Sequence, residues 1–346
     1  LMTLLTILIS LLSVSALDKS VSHINGGLLH TAGITGVGQV VCIIDSGVDY
    51  TNEYLGGCIE TSNINDGSCG KVIGGYDLAD GDANPIDSWG HGTQVAGIIA
   101  SEHPTYKGVA PDAKIVAIKL QYSASGNWDS FSFPAAMNWC IDNRTKFNIS
   151  VISISLGATG SYDENNCPDD FGIQGHINNA TKEGIAVVIA SGNNFFPSGI
   201  SDPACLHTAT SVAGSTLWNN VMLSSDSGSA LDVVAPGRMI RTTKKGGGIT
   251  DFSDDVLCDL ENLKFLCTTG SSFAAPHVSG AILLMKQFDP AWDMYSIIKT
   301  LKETGKKITK PGGSSEYSRI DLAKALHIFD WPTENHDYRR TGFTLL

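Results

Sequence analysis

The sequence predicts an α/β fold built on a central, mostly parallel β-sheet with helices on both faces. Three observations carry that expectation. Short apolar runs rich in Val and Ile recur at 40–44 (VVCII), 114–120 (KIVAIKL), 151–156 (VISISL) and 185–190 (IAVVIA). They do not alternate polar with apolar residues, as expected of strands covered on both faces. Helical stretches separate them at 91–101, 133–143 and 172–183, and strands joined through helices close into a parallel sheet by short, right-handed crossovers.

The elements follow in chain order. Residues 1–16 form an apolar run ending Ser13-Val14-Ser15-Ala16, read as the hydrophobic part of a secretory signal with Val14 and Ala16 small enough for cleavage. The run is short for a membrane span, which needs ~20 apolar residues. No basic segment precedes it and the first residue is Leu, so further upstream sequence is expected. Residues 17–331 form one globular domain, consistent with a chain of 346 residues that is 42% hydrophobic and 17% charged, enough for a single sizeable core. Residues 332–346 form a polar, peripheral tail. In an open parallel sheet, sites gather at the carboxyl ends of the strands. Asp45 directly follows the first run and Asn193 follows the fourth by three residues, which puts both on one edge. Ser272 opens an apolar helix over 273–288, with Pro276 early enough to be tolerated.

Charge and cysteine usage narrow the function class. With 23 Lys+Arg against 35 Asp+Glu the formal net charge is −12, and no basic cluster offers a nucleic-acid surface. Sequons at Asn143, Asn148 and Asn179 and an even set of eight cysteines suit an oxidising, secretory compartment. Spacing suggests the pairs Cys58–Cys69, Cys258–Cys267 and Cys167–Cys205. Cys42 lies in a strand and Cys140 in a helix, and both are expected to be buried free thiols.

Three distant segments carry the chemistry: Ile44-Asp45-Ser46-Gly47, His91-Gly92-Thr93, and Gly270-Ser271-Ser272-Phe273-Ala274-Ala275-Pro276-His277-Val278. Acyl transfer needs a hydroxyl nucleophile, an imidazole to take its proton and a carboxylate to orient the imidazole. Alone, each residue has a plainer reading: a helix N-cap for Ser272, a structural histidine for His91, a turn residue for Asn193. Together, and with Ala117-Ile118-Lys119, Ser155-Leu156-Gly157, Ala190-Ser191-Gly192-Asn193 and Val234-Ala235-Pro236-Gly237 in the same order, they resemble the subtilisin-like serine proteases (subtilases) from about Val21 to Leu326.

The resemblance implies a three-layer fold and a serine endopeptidase acting on protein or peptide substrates through an acyl-enzyme. Ser272 would be the nucleophile, His91 the general base, Asp45 its orienting carboxylate and Asn193 the oxyanion donor. Alignment through Pro276-His277-Val278 selects Ser272 over Ser271. The family usually has Thr at position 271, Met at 273 and a second His at 94, where this chain has Ser, Phe and Gln. By the same resemblance Ser125-Gly126 and Ser155-Leu156-Gly157 sandwich an extended substrate as added strands, and Ala190-Ser191-Gly192 wall the pocket before the scissile bond. The chemistry needs no cofactor. Structural calcium is in question at Asp49, which matches a ligand in some relatives, although the loop at 102–107 is shorter than the family's calcium-binding version. An inhibitory propeptide is common in secreted relatives; here the mature-like segment begins near Val21, so either the chain folds without one or upstream sequence is missing. A monomer is expected, with no nucleic-acid partner.

Acidic insertions at 162–171 (YDENNCPDDF) and 250–267 flank the site in sequence. Asp163, Glu164, Asp169 and Asp170 either attract basic substrate residues or form a solvated, disulfide-pinned loop, the reading preferred. An inactive peptide-binding relative is disfavoured by the intact Asp45, His91, Asn193 and Ser272. A lipase or esterase is disfavoured by the missing G-x-S-x-G elbow. An exopeptidase on the same fold stays open, since loops decide access.

Overall fold

The computed structural model describes residues 17–59, 61, 63–120, 128–250 and 268–328. The 1–16 leader, the Ser125-Gly126 segment, the Cys258–Cys267 pair and the 332–346 tail lie outside the described residues.

Nine described strands form one sheet. In chain order they are β1 (Val40–Asp45), β2 (Val72–Asp77), β3 (Lys114–Lys119), β4 (Ile149–Ile154), β5 (Ala186–Ala190), β6 (Thr210–Ser215), β7 (Val233–Pro236), β8 (Lys306–Thr309) and β9 (Glu316–Arg319), arranged β2-β3-β1-β4-β5-β6-β7-β9-β8. Every pairing is parallel except the β8–β9 hairpin at the edge. The four predicted runs are β1, β3, β4 and β5, and all their residues but Lys114 of β3 and Ser150 of β4 are buried.

The core divides by face. On one side pack α1 (Leu17–His23), α2 (Gly26–Thr31), α3 (His91–Ala100), α7 (Ser271–Phe288) and α8 (Met294–Thr304); on the other pack α4 (Phe133–Asp142) and α6 (Gln174–Lys182). Two further short helices are α5 (Arg144–Phe147) and α9 (Leu322–Ala325). In β1, Val41 and Ile43 join the first cluster, while Val40, Cys42 and Ile44 join the second. That period-two division is the signature of a strand buried on both faces. Helix α7 is apolar nearly all round because it runs through the middle, against α3 and across β4, β5, β6 and β7.

The cysteines require one correction. Cys58–Cys69 and Cys167–Cys205 are bonded as spacing suggests. Cys42 and Cys140, expected as free thiols, are joined to each other across 98 positions. The reason is topological: α4 connects β3 to β4, the two strands that flank β1, so it crosses directly over β1. Cys140 on α4 and Cys42 on β1 then share one buried layer.

Among the described residues no helix is long and apolar enough to cross a membrane.

Candidate active site

Asp45 ends β1 and is 1% exposed. Its two carboxylate oxygens lie 2.8 and 3.0 Å from His91 Nδ1, and Oδ1 also accepts the Ser46 N–H at 2.7 Å. A carboxylate only accepts, so Nδ1 carries the ring proton and Nε2 remains the basic nitrogen. His91 is the first residue of α3, and the helix reaches Asp45 because residue 92 is glycine. A Cβ there would stand 2.0 Å from Gly47 O and 3.1 Å from Asp45 Cβ. Gly92 N–H donates to Ser46 Oγ at 2.9 Å, closing the contact.

A second buried carboxylate sits behind the pair. Asp87 accepts from Ser46 Oγ (2.8 Å), Trp89 N (2.9 Å) and Gly90 N (2.7 Å) on one oxygen, and from Thr93 N (2.9 Å) and Thr93 Oγ1 on the other. It ties the turn after β1 to the amino end of α3, so one residue fixes the separation of Asp45 and His91. Burial raises the Asp87 pKa against the bonds from Thr93, Gly90 and Ser46. Burial also pulls the His91 imidazole down, but the Asp45 charge and hydrogen bond, helped by Asp87, reverse this and leave its pKa above the ordinary 6.5.

The two adjacent serines have different surroundings. Ser271 is fully buried; its hydroxyl accepts from Gly192 N and donates to Gly192 O, both at 3.1 Å. Ser272 is half-buried, its Oγ donating to Ser155 O at 3.0 Å while Ser155 Oγ donates to Ser272 O at 2.8 Å. No Ser272–His91 hydrogen bond is present among the described residues. Asn193 Oδ1 accepts from Ser271 N at 2.8 Å, which leaves the amide's NH2 to donate elsewhere.

His91, Asn193, Ser271 and Ser272 line one cavity of about 360 Å³, together with Trp89, Trp128, Ser155, Leu156, Gly157, Ala158, Thr159, Ala190, Gly192, Asn194 and Ser201. Asp45 reaches it only through His91. The lining holds a hydroxyl, an imidazole backed by a carboxylate, and a side-chain amide, the set that acyl transfer requires.

Comparison with known proteins agrees. The model of the subtilase family matches residues 36–319. This chain belongs to the subtilase family. The chain is 31% identical to subtilisin Savinase of Lederbergia lenta over 287 residues, 82% of this chain and 89% of that protein. It is equally similar to an alkaline protease of Alkalihalobacillus alcalophilus, but spans only 63% of that protein's length. Among solved structures, a cold-adapted subtilisin-like serine proteinase superposes with a TM-score of 0.64 at 25% identity, covering 83% of this chain and 91% of that one. The prenylagaramide maturation protease PagA shares the fold with a TM-score of 0.65 at 19% identity, covering 87% and 98%. The enzyme class of this subtilase is serine-type endopeptidase.

Within the subtilase, most of the sequence-read substrate segments reach the cavity. Ser155, Leu156 and Gly157 extend from β4, and Ala190 and Gly192 from β5. Ser191 does not: it is buried and donates to Asp226 O at 2.9 Å. Ser125 and Gly126 lie outside the described residues. At Asp49, Oδ1 takes Thr51 N and Oγ1 while Oδ2 takes Gly246 N at 2.7 Å. Those partners are hydrogen donors rather than the oxygen cage calcium needs, so the surroundings of Asp49 do not fit the ion.

None of Asp163, Glu164, Asp169 and Asp170 lines the cavity. Asp169 accepts from the N–H groups of Ile173 and Gln174 at the start of α6, and the Cys167–Cys205 bond pins the loop. Sequence reasoning missed Trp89, Trp128, Asp87, Ser201 and Asp226. Trp89 stands two residues before His91 and was legible by adjacency, its ring 5.5 Å from the imidazole. Ser201 and Asp226 carry no local signal.

Proposed function

We propose that this subtilase hydrolyses peptide bonds within extended polypeptide substrates through an acyl-enzyme on Ser272. The supporting observation is the Asp45–His91 pair opening on the same cavity as Ser272 and Asn193. Substrate binding rotates the Ser272 hydroxyl from Ser155 O to His91 Nε2; hydrogen bonds of this kind are often slack without substrate and tighten in the complex. Oγ then attacks the scissile carbonyl carbon as its proton passes to Nε2. Asp45 holds the Nδ1 proton and stabilises the imidazolium without taking that proton. The negative oxygen of the tetrahedral intermediate is met by the Asn193 NH2 and the Ser272 backbone N–H at the start of α7, where the helix dipole adds to the field. Collapse expels the amine, which receives the proton from His91. Water repeats the sequence on the acyl-enzyme and frees Ser272.

The substrate backbone lies against Ser155–Leu156–Gly157 as an added strand. The residue before the scissile bond enters between Ala190, Gly192 and the 157–159 segment. The protein acts outside the cell, in keeping with its disulfides and with extracellular relatives such as the minor extracellular protease Epr of Bacillus subtilis. Asn179, exposed on α6, is the sequon best placed for a glycan, since the Asn143 and Asn148 side chains donate to Trp139 O and Gly38 O.

The test is a pair of variants. Ser272→Ala abolishes peptide hydrolysis, while Ser271→Ala, which loses the Gly192 link, retains most of it. The reverse pattern overturns the assignment.

A further inference from the structure

Directly behind Asn193 lies a buried carboxylate that the hydrolytic scheme does not use. Asp226 is 0% exposed and belongs to the loop between β6 and β7. Its Oδ1 accepts the backbone N–H of Asn194 at 2.8 Å and of Phe196 at 3.0 Å; its Oδ2 accepts Asn194 Nδ2 at 2.8 Å and Ser201 Oγ at 3.0 Å. A carboxylate offers about four lone-pair sites, and all are taken. Its own N–H donates to Gly192 O at 3.0 Å, so Asp226 grips the residues on both sides of Asn193.

We infer that Asp226 is a positioning residue for the oxyanion amide. It holds the 192–196 segment in the one conformation that presents the Asn193 NH2 to the reacting carbonyl. The inference rests on the reading of Asn193 given above.

Three features separate this from ordinary loop packing. Phe195, between the two N–H groups on Oδ1, has φ +65° and is 57% exposed. A bulky residue in the left-handed region is strained, and burial of its ring does not offset that strain. What holds it is the pair of charge-assisted bonds to Asp226, with Phe195 N–H donating to Ser224 O at 3.0 Å. Second, the approach is too close for a side chain at 192: a Cβ there would sit 2.2 Å from Asp226 Oδ2. Third, a buried lysine ties down the backbone beside the carboxylate and lies near enough to feel its charge. Lys310 Nζ donates to Ser225 O at 2.7 Å and Phe196 O at 3.1 Å. Burial lowers the Lys310 pKa and the Asp226 charge opposes that. Asn193 is thus fixed twice, by Ser271 N on its amide oxygen and by Asp226 on its backbone neighbours.

The experiment measures kcat and KM on a chromogenic peptide for Asp226→Asn, Asp226→Ala, Asn193→Ala and the double variant Asn193→Ala/Asp226→Ala, with thermal unfolding of each. Misplacing a catalytic group by about 1 Å costs up to roughly 10²-fold. The expected loss is therefore roughly 10–100-fold in kcat for either Asp226 variant, with KM within about twofold. In the Asn193→Ala background the same change costs no further kcat, because the amide it positions is gone. An undiminished additional loss there overturns the proposal, as does unchanged kcat in both single Asp226 variants. If Asp226→Ala does not fold, the isosteric Asp226→Asn decides; failure of that variant to fold makes Asp226 a residue of the fold and also overturns the proposal. If Asn193→Ala by itself leaves kcat intact, it is the oxyanion reading that falls.

Discussion

Asp45→Asn isolates what the buried carboxylate contributes. In the wild type both oxygens lie within 3.0 Å of His91 Nδ1, so the charge centres of the pair stand about 4 Å apart once His91 is protonated. At an effective dielectric of about 20 that attraction is worth roughly 4 kcal/mol. At about 1.4 kcal/mol per tenfold, the imidazolium stabilisation alone corresponds to roughly 10³ in rate. The tautomer adds to this. An amide NH2 turned toward Nδ1 makes that nitrogen the acceptor, which leaves the proton on Nε2, where it blocks acceptance from Ser272. The expected loss in kcat/KM is therefore about 10³–10⁴-fold, its upper end matching the effect of such a substitution on kcat in a serine protease of another fold. The pH profile supplies an independent sign. The general base must be neutral, so wild-type activity falls as pH drops through a His91 pKa lying above 6.5. Removing the carboxylate leaves burial as the main influence, and burial lowers that pKa. The acid limb of the residual activity moves to lower pH. The assay is kcat/KM on a chromogenic peptide across the acid limb, for wild type and variant. A loss below about tenfold, or an unmoved limb, refutes the reasoning.

Two further outcomes follow from the fold. His277, fully buried on α7, donates from Nδ1 to Phe273 O and accepts at Nε2 from Ser20 Oγ, which fixes it neutral. Burial, eased by the Phe273 bond and reinforced by nearby His23, lowers its pKa from 6.5 to about 4. The unfolded chain then binds the proton first, so stability is full above 6.5 and falls toward pH 4, by something on the order of 3 kcal/mol. His277→Gln should flatten that part of the stability profile in thermal unfolding, and an identical slope would contradict the account. The Cys42–Cys140 bond closes a long loop, and its removal by Cys42→Ala with Cys140→Ala is expected to lose roughly 2–5 kcal/mol. Urea unfolding under non-reducing conditions reads this directly, and an unchanged midpoint would argue against the bond.

What the sequence disclosed depended on how each element is buried. Strands β1, β3, β4 and β5 are covered on both faces by helices, and continuous Val and Ile runs announce that condition. Strand β2 carries Gly74 and Gly75, β6 reads TSVAGS and β7 has four residues, so none holds enough branched apolar surface to stand out. The β8–β9 hairpin is a charged edge, with Lys306, Lys307 and Glu316 exposed, and it shows no apolar alternation. In the site, Asp45, His91, Asn193 and Ser272 were legible because each sits in a short segment of distinctive residues. Asp226 was not, because its meaning comes from the fold back against Gly192 and Phe196. The Cys42–Cys140 bond was hidden for a related reason. Burial of each cysteine could be read locally, but their facing each other depends on β1 lying between β3 and β4.

The most direct measurement of the central claim is labelling of the folded protein with a fluorophosphonate, followed by peptide mapping of the adduct. A single adduct on Ser272, lost in Ser272→Ala and kept in Ser271→Ala, is the result expected of an activated hydroxyl beside His91. An adduct on Ser271, or none on protein that is correctly folded, would contradict it.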